Sequence, residues 1–285
     1  MEPVFDRDLV TANRRRATAG GASDADFLLR HVAEDIAERL SAVERRFERA
    51  AVLDDAAGVL SAAIAKTDNV ESVETGPLES DLEGSERVGL AENAFDFVAS
   101  AMSLHLVNDT PGVLVQIQRA LKPDGLFLAA IPGAGTLAEL RDCLIAAEAE
   151  VMGGASPRVI PFGEVRDYGS LLQRAGFALP VSDVETRTVR YDTIFDLMLD
   201  LRAMGMANPL HGRSRKPVPR AFFQRAGELY AERYADPDGR IRATFSFVHL
   251  SGWKPHESQQ KPAKPGSATT RLAEALNTRE LPLKR

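Results

Sequence analysis

Cysteine occurs once in the 285 residues, at Cys143. A single thiol rules out an internal disulfide and any zinc site built on several cysteines, and it suits a reducing compartment. Tryptophan also occurs once, and no apolar run approaches the roughly 20 residues that a membrane-spanning helix needs. A membrane span is therefore not expected. The opening "MEPVFDRDLVTANRRRA" lacks the apolar core of a secretion signal, and its Glu2, Asp6 and Asp8 do not suit an organelle presequence. It is read as part of the folded protein. Positive charge is not in excess either: 35 Lys and Arg against 41 Asp and Glu leave −6, so no global field favours nucleic acid. There is no G-x-S-x-G elbow, no phosphate-binding P-loop and no H-E-x-x-H pair. His31, His105, His211, His249 and His256 show no ligand spacing. Hydrolase, ATPase and metal-site readings thus find no footing, and Cys143, inside the helical pattern "ELRDCLIAAEAE", reads as a small buried apolar residue.

What is present is a regular alternation. Phe27, Leu28, Val32, Ile36, Leu40, Val43 and Phe47 recur at helical spacing and predict an amphipathic helix over 25–47. "RAAVLDD" then reads as a buried strand, "AGVLSAAIAKT" as a helix and "NVESVET" as a second strand before the turn at Gly76-Pro77. Another buried strand in "NAFDFVASAMSLHLV", a helix in "TPGVLVQIQRAL" with Pro111 in its first turn, and the strand "LFLAAIP" continue the pattern. Helices are expected over 136–152, 162–175, 193–206 and 217–234. The strands "ALPVSDVETRTVRY" and "ATFSFVHLSGW" are expected to pair antiparallel. Strands separated by helices of about a dozen residues give a doubly wound α/β fold, whose ligands bind at the carboxyl ends of the strands. From Lys254 on, a segment rich in Lys, Pro, Ser and Gln is too polar to fold alone.

Three places near those strand ends could carry chemistry. In "AVLDDAAGVLSAAI" the first strand ends at Asp54 or Asp55, Gly58 is the one glycine of the turn, and Glu74 follows 20 residues after Asp54. That spacing suits a nucleotide pocket, because exposed amides and a glycine let a polar ligand approach and a later acid accepts from a ribose diol. A plain turn that binds nothing is the other reading. His105, in "SLHLVND", is either a ligand contact or a packing residue. In "GAGTLAELR", Gly135, Thr136, Glu139 and Arg141 form either a substrate wall or a capping turn with Thr136 as the cap. Arg213, Arg215, Lys216 and Arg220 suit a solvated loop or an acidic partner.

"FDFVASAMSLHLVNDTPGVLVQIQRALKPDGLFLAAIPGAGTLAELR" resembles the fourth and fifth strand region of class I S-adenosylmethionine-dependent methyltransferases. "FDRDLVTANRRRA", "GGASPRVIPFGEVRDYGSLLQRAGF", "FDLMLDLRAMGMAN" and "GWKPHESQQKPAKPGSAT" narrow the resemblance to the mitochondrial complex I assembly factor 5 family, over about Phe5 to Thr270. The resemblance implies a seven-stranded, mostly parallel Rossmann-like sheet with an antiparallel C-terminal hairpin. It divides the chain into an N-terminal helical cap over 1–48, a methyltransferase-like domain over 49–253 with a helical insertion near 190–235, and an extended, flexible tail over 254–285.

It further implies S-adenosyl-L-methionine as cofactor, held by Asp54, Asp55, Ala56, Gly58, Glu74, Ser100 and Met102, with His105, Gly135, Thr136, Glu139 and Arg141 toward the substrate. The implied activity is hydroxylation of an arginine on the iron-sulfur subunit of complex I beside the quinone site, in a bacterial cytoplasm or a mitochondrial matrix. Peripheral membrane association is compatible with that partner. Methyl transfer to a small molecule or carrier protein, and a non-catalytic assembly role, are the competing readings. Family members carry an acid followed by Gly-x-Gly-x-Gly, a run that falls here on residues 54–60 with Ala56 and Leu60 in place of two glycines. Two consequences are expected. A positive φ at Ala56 would cost on the order of 1 kcal/mol, and Leu60 would push the following helix outward. The acid on the adenine side falls near Gly84 and Ser85, with Glu83 and Glu86 as offset substitutes.

Overall fold

The computed structural model describes residues 3–19, 26–80, 85–260, 267 and 272–278. The chain forms two compact units, Met1–Pro255 and His256–Arg285. In the first, helices α1 (Arg7–Ala19) and α2 (Phe27–Ser41) precede strand β1 (Phe47–Leu53), helix α3 (Val59–Ile64) and strand β2 (Val70–Gly76). A short antiparallel hairpin follows, β3 (Leu78–Ser80) with β4 (Glu86–Val88). Then come β5 (Phe95–Ala101), α4 (Thr110–Ala120), β6 (Leu121–Pro132), α5 (Ala138–Met152), α6 (Val165–Arg174), β7 (Ala178–Tyr191), α7 (Ile194–Ala203), α8 (Arg220–Tyr234) and β8 (Ile241–Trp253). Most of the expected tail lies outside the described residues; within the second unit Leu272–Ala275 form one helical turn, α9.

The main sheet has the order β2-β1-β5-β6-β8-β7. β2, β1, β5 and β6 pair parallel, and β8 pairs antiparallel with both β6 and β7. β5 is buried along nearly its whole length and β1 from Ala50 to Leu53, as central strands covered on both faces must be. One face packs a core that includes Val32 and Ile36 of α2, Leu140 of α5 and Phe222 of α8; the other packs Leu114 and Ile117 of α4 and Leu172 of α6. This is the doubly wound arrangement the alternation predicts, with the late pair β7 and β8 joined through α7 and α8. No helix among the described residues is long and apolar enough to cross a membrane.

Two expectations change. The sheet holds six strands among the described residues rather than seven, because residues 77–94, between β2 and β5, are too few for another parallel strand. Such a strand needs two crossovers of a dozen or more residues each, one to reach it and one to return to β5, and the described residues of the segment form the β3–β4 hairpin instead. The first long helix ends at Ser41 rather than at 47. Phe47 is fully buried at the start of β1 and pairs with Val70, while the Asn69 amide donates to the Leu40 carbonyl at 2.8 Å and closes the helix end. Helical spacing continued past Ser41 only because a strand residue happened to fall in phase.

A dense ion-pair seam fastens α2 to the β7–β8 edge. Arg39 bonds Asp35 at 2.7 Å and Asp183 at 2.8 and 2.9 Å, Arg187 pairs with Glu185 at 2.6 Å, and His31 meets Glu185 at 3.2 Å. Asp35, Glu185 and the buried His249 bring ligand-type atoms within 4.8 Å of one another. Arg39 and Arg187 already pair with those carboxylates.

Candidate functional site

At the carboxyl ends of β1 and β5 the sheet opens into a cavity of about 340 Å³. α1 covers it, the start of α2 and the end of α7 wall it, and the turns after β1 and β5 form its floor. That volume lies in the range of small-molecule sites. A second chamber of about 50 Å³ shares His105, Leu106, Gly205 and Met206 with the first and continues toward Leu140, Arg158 and Phe162.

The turn after β1 differs from what the glycine pattern implies. Positive φ falls on Asp54 at 59° and on Gly58 at 68°, and not on Ala56. The single retained glycine therefore stands where a left-handed residue is needed, just before α3. Leu60 does not push α3 out: it is 1% exposed and belongs to the same core cluster as Ile64, Val32 and Ile36. Asp55 accepts from the Leu60 amide at 3.3 Å, the Ser61 amide at 2.8 Å and the Ser61 hydroxyl at 2.6 Å. Its carboxylate thus occupies the amides that a phosphate would otherwise use.

The sequence-predicted residues separate into two groups. Asp54, Asp55, Ala56, Met102 and His105 line the cavity. Gly58 shapes the turn without facing it. Ser100 is fully buried, and its hydroxyl is 2.8 Å from that of Ser103, a cavity-lining residue. Glu74 is not among the lining residues: it is half exposed and pairs with Arg49 at 2.7 Å, on the strand next to β2. Nor are Gly135, Thr136, Glu139 and Arg141. The Thr136 hydroxyl donates to the Ser246 carbonyl at 2.9 Å and accepts from its amide at 3.0 Å, while Glu139 accepts from the Thr244 amide at 3.2 Å and from its hydroxyl. These bonds staple the loop to β8, with Gly135 at φ 93° making the bend. Arg141 donates to the Ile160 carbonyl at 3.2 Å beside a separate surface cleft. Glu86 is buried and accepts from the amides of Asn108 at 3.0 Å and Asp109 at 2.7 Å, with Arg7 3.4 Å away, so it clamps the hairpin to α4 and α1. Glu83 and Gly84 lie outside the described residues.

Sequence reasoning passed over Arg14. It lies on α1, lines the cavity and forms an ion pair with Asp54. A signal was available: Arg7 and Arg14 are seven residues apart and share one helix face. Arg7 donates to the Leu106 carbonyl at 2.9 Å and to Ser80 at the same distance, which seats α1 over the cavity. Burial raises the Asp54 carboxyl above its ordinary value, and the Arg14 and Arg7 charges oppose that rise.

His105 sits at the junction of the two chambers, 8% exposed, with its ring 6.3 Å from that of Phe162 and its Nδ1 without a hydrogen bond. Burial, helped by the charge of Arg14, lowers its pKa from 6.5 to about 3. Between those values the unfolded chain carries the proton and the folded chain does not. Stability therefore declines as pH falls from 6.5 toward 3. His105→Gln is expected to flatten the stability profile around pH 4 to 6 by about 1.4 kcal/mol per pH unit, one proton's worth. Urea unfolding of both proteins across that range checks it, and identical slopes would contradict the neutral buried imidazole.

The strand order, with its single reversed strand at β8 and a cavity over β1 and β5, defines a methyltransferase fold of class I, and residues 36–129 match the methyltransferase domain family. The chain is 38% identical to the mouse protein named arginine-hydroxylase NDUFAF5, mitochondrial, over 95% of this chain and 83% of that one. It is 34% identical to the zebrafish protein of the same name, over 95% and 89%. A malonyl-[acyl-carrier protein] O-methyltransferase of Laribacter hongkongensis is 37% identical over only 60% of this chain and 54% of its own length. The chain belongs to the NDUFAF5 arginine-hydroxylase family.

Proposed function

We propose that the chain binds S-adenosylmethionine in the cavity beneath α1 and hydroxylates an arginine of a partner protein, the iron-sulfur subunit of complex I beside its quinone site. The observation that carries the cofactor half is the charge of the lining. Arg14 is its one lysine or arginine among the described residues, against Asp26, Asp54 and Asp55, and Asp55 blocks the amides of α3. Anionic phosphates are disfavoured there, and a ligand with a net positive charge is favoured. S-adenosylmethionine carries one carboxylate, one ammonium and a sulfonium, so both its charge and its size fit. When bound, it supplies the positive sulfonium and its electrophilic methyl.

The arginine half rests on the names of the relatives that cover most of the chain, and on His105. A guanidinium offers only donors. An imidazole that stays neutral beside a cation remains an acceptor, and His105 Nδ1 is free to accept when the ring proton is on Nε2. The substrate side chain approaches through the smaller chamber, past Phe162 and His105. Hydroxylation turns a C–H into a C–OH, a two-electron oxidation whose oxidant comes from outside the chain. The place of action is a bacterial cytoplasm or a mitochondrial matrix, with the partner subunit providing any membrane contact.

Comparing the iron-sulfur subunit from wild-type cells with that from cells lacking this protein tests the reading. The deletion is expected to leave an arginine peptide lighter by the mass of one oxygen atom. Identical peptide masses would overturn the hydroxylation, and calorimetry with no heat from millimolar S-adenosylmethionine would overturn the cofactor.

A further inference from the structure

We infer that His31 and Asp35 of α2, Glu185 of β7 and His249 of β8 form a binding site for one divalent transition-metal ion of the Zn²⁺ type, which clasps α2 to the far edge of the sheet. Two periods bring the four side chains together. Residues four apart share a helix face, so His31, Asp35 and Arg39 form one row on α2. Alternate residues share a strand face, so Asp183, Glu185 and Arg187 form one row on β7, and the register sets His249 of β8 opposite Asp183. The two rows meet where Arg39 bonds Asp183 and His31 approaches Glu185. Ligand spacing read along the chain passes over this set, because its members come from three elements.

His249 distinguishes a ligand set from a plain ion-pair seam. It is 2% exposed, with Nδ1 3.0 Å from Asp35 and Nε2 3.5 Å from Glu185, yet neither nitrogen makes a hydrogen bond. A neutral imidazole has one N–H, so at least one of these nitrogens turns a lone pair toward a carboxylate oxygen. A metal ion between them removes that repulsion and gives the buried polar atoms a partner. His31 is placed in the same way: its Nε2 accepts from the Arg187 guanidinium at 3.2 Å and lies 3.2 and 3.3 Å from the two Glu185 oxygens. Asp35, Glu185 and His249 offer atoms within 4.8 Å of one another, close to the spread of ligands that each stand about 2.0–2.2 Å from a common ion. Two imidazoles with two carboxylates favour Zn²⁺ over Mg²⁺ and Ca²⁺, which take oxygen ligands.

The ion displaces arginine, and neither arginine is stranded by the exchange. The Arg187 side chain is 54% exposed and turns into solvent, while Arg39 gives up Asp35 and keeps its bonds to Asp183 at 2.8 and 2.9 Å. Asp35 and Glu185 then balance the two charges of the ion. Across the sheet, Ala101 of the cavity lining pairs with Ala130, and Ala130 with His249. His249 thus stands two strands, about 10 Å, from the cavity. α2, which the ion holds, also places Leu28 and Leu29 in the cavity wall. The ion therefore steadies that wall, whatever ligand the cavity holds.

Calorimetric titration of the full chain, stripped with EDTA and dialysed, with Zn²⁺ alone tests the site. Wild type is expected to take up a single equivalent. His249→Phe is expected to weaken binding by about 100-fold or more, since losing even a group that supports a metal ligand costs about 10- to 100-fold, and His31→Asn, on the more open side, by about tenfold or more. Arg187→Ser removes the competing cation and is expected to tighten binding about two- to fivefold, the range set by the worth of an exposed ion pair. His256→Ala, a histidine outside the set, leaves the titration unchanged. Co²⁺ in place of Zn²⁺ is expected to give the strong visible absorption of a four-coordinate ion. No uptake by wild type would overturn the site, as would uptake that neither His249→Phe nor His31→Asn weakens, or the weak spectrum of octahedral Co²⁺. If His249→Phe does not fold, His31→Asn, Arg187→Ser and the Co²⁺ spectrum of wild type decide the question without it.

Discussion

Leu60→Gly, the change that would rebuild the third glycine of the family loop, is expected to cost about 3–5 kcal/mol of stability rather than to improve cofactor binding. Truncating a fully buried leucine removes its transfer free energy and leaves a hole that the neighbours fill only partly, a loss of about 2–5 kcal/mol for Leu→Ala. Glycine adds up to about 1 kcal/mol through backbone entropy, reduced here because Leu60 lies in the first turn of α3. Leu60 is 1% exposed and packs with Ile64 and the inner face of α2. α3 has only six residues, so these two side chains carry most of its docking. Ala56→Gly is expected to change stability by less than about 1 kcal/mol, since Ala56 is exposed and has no positive φ to relieve. Urea midpoints with unchanged slopes measure both. A loss below about 1 kcal/mol for Leu60→Gly would mean that α3 does not depend on this side chain.

Arg158→Met is the second large effect, at about 3–5 kcal/mol. Glu148 of α5 is buried at 4% exposure, and it accepts from Arg158 at 2.9 and 2.7 Å, from the Ser156 amide at 3.1 Å and from the Ser156 hydroxyl at 2.7 Å. The guanidinium lies 4.6 Å over the Phe222 ring, so it also anchors α8. Methionine keeps much of that contact with Phe222 but removes the cation and leaves the carboxylate only its Ser156 bonds, and a buried charge without its counter-ion is among the costliest defects a fold can hold. Burial raises the Glu148 carboxyl, the Arg158 and Ser156 bonds outweigh it, and its pKa ends below the ordinary 4.5. The sign follows: with a lowered value in the folded state, the contribution is fully present above 4.5 and is lost as pH falls below it. In Arg158→Met the loss of the guanidinium raises the Glu148 carboxyl relative to its wild-type value. The variant's deficit is therefore expected to be largest near neutral pH and to shrink in acid, where the carboxyl is protonated. A deficit that is constant with pH would show that Arg158 acts through packing on Phe222 alone.

Both effects show how unevenly this protein is written into its sequence. Local order was legible. Helical and strand periods located β1, β2, β5 and β6, the alternation gave the doubly wound sheet, and the rule that ligands sit at carboxyl strand ends pointed to Asp54 and His105. Those features depend on neighbours within a few residues, and a few residues are what a period or a turn records. The roles of individual charged groups were not legible, because a carboxylate becomes a cap, a clamp or a ligand group according to which cation or amide reaches it across the fold. Asp55 is used by the amides of α3, Glu74 by Arg49 on the adjacent strand, Glu139 by Thr244 of β8, and Glu86 by the start of α4. Asp54 alone of these keeps a partner that faces the cavity. That partner, Arg14, comes from 40 positions earlier in the chain, placed by a helix whose anchoring runs through Asn108, Ala207 and Arg213. The sequence by itself determined the sheet and the end of it that binds. Only tertiary packing decided which charges remain free to bind there, since Coulombic and hydrogen-bond pairing is settled by distance in space and not by separation along the chain.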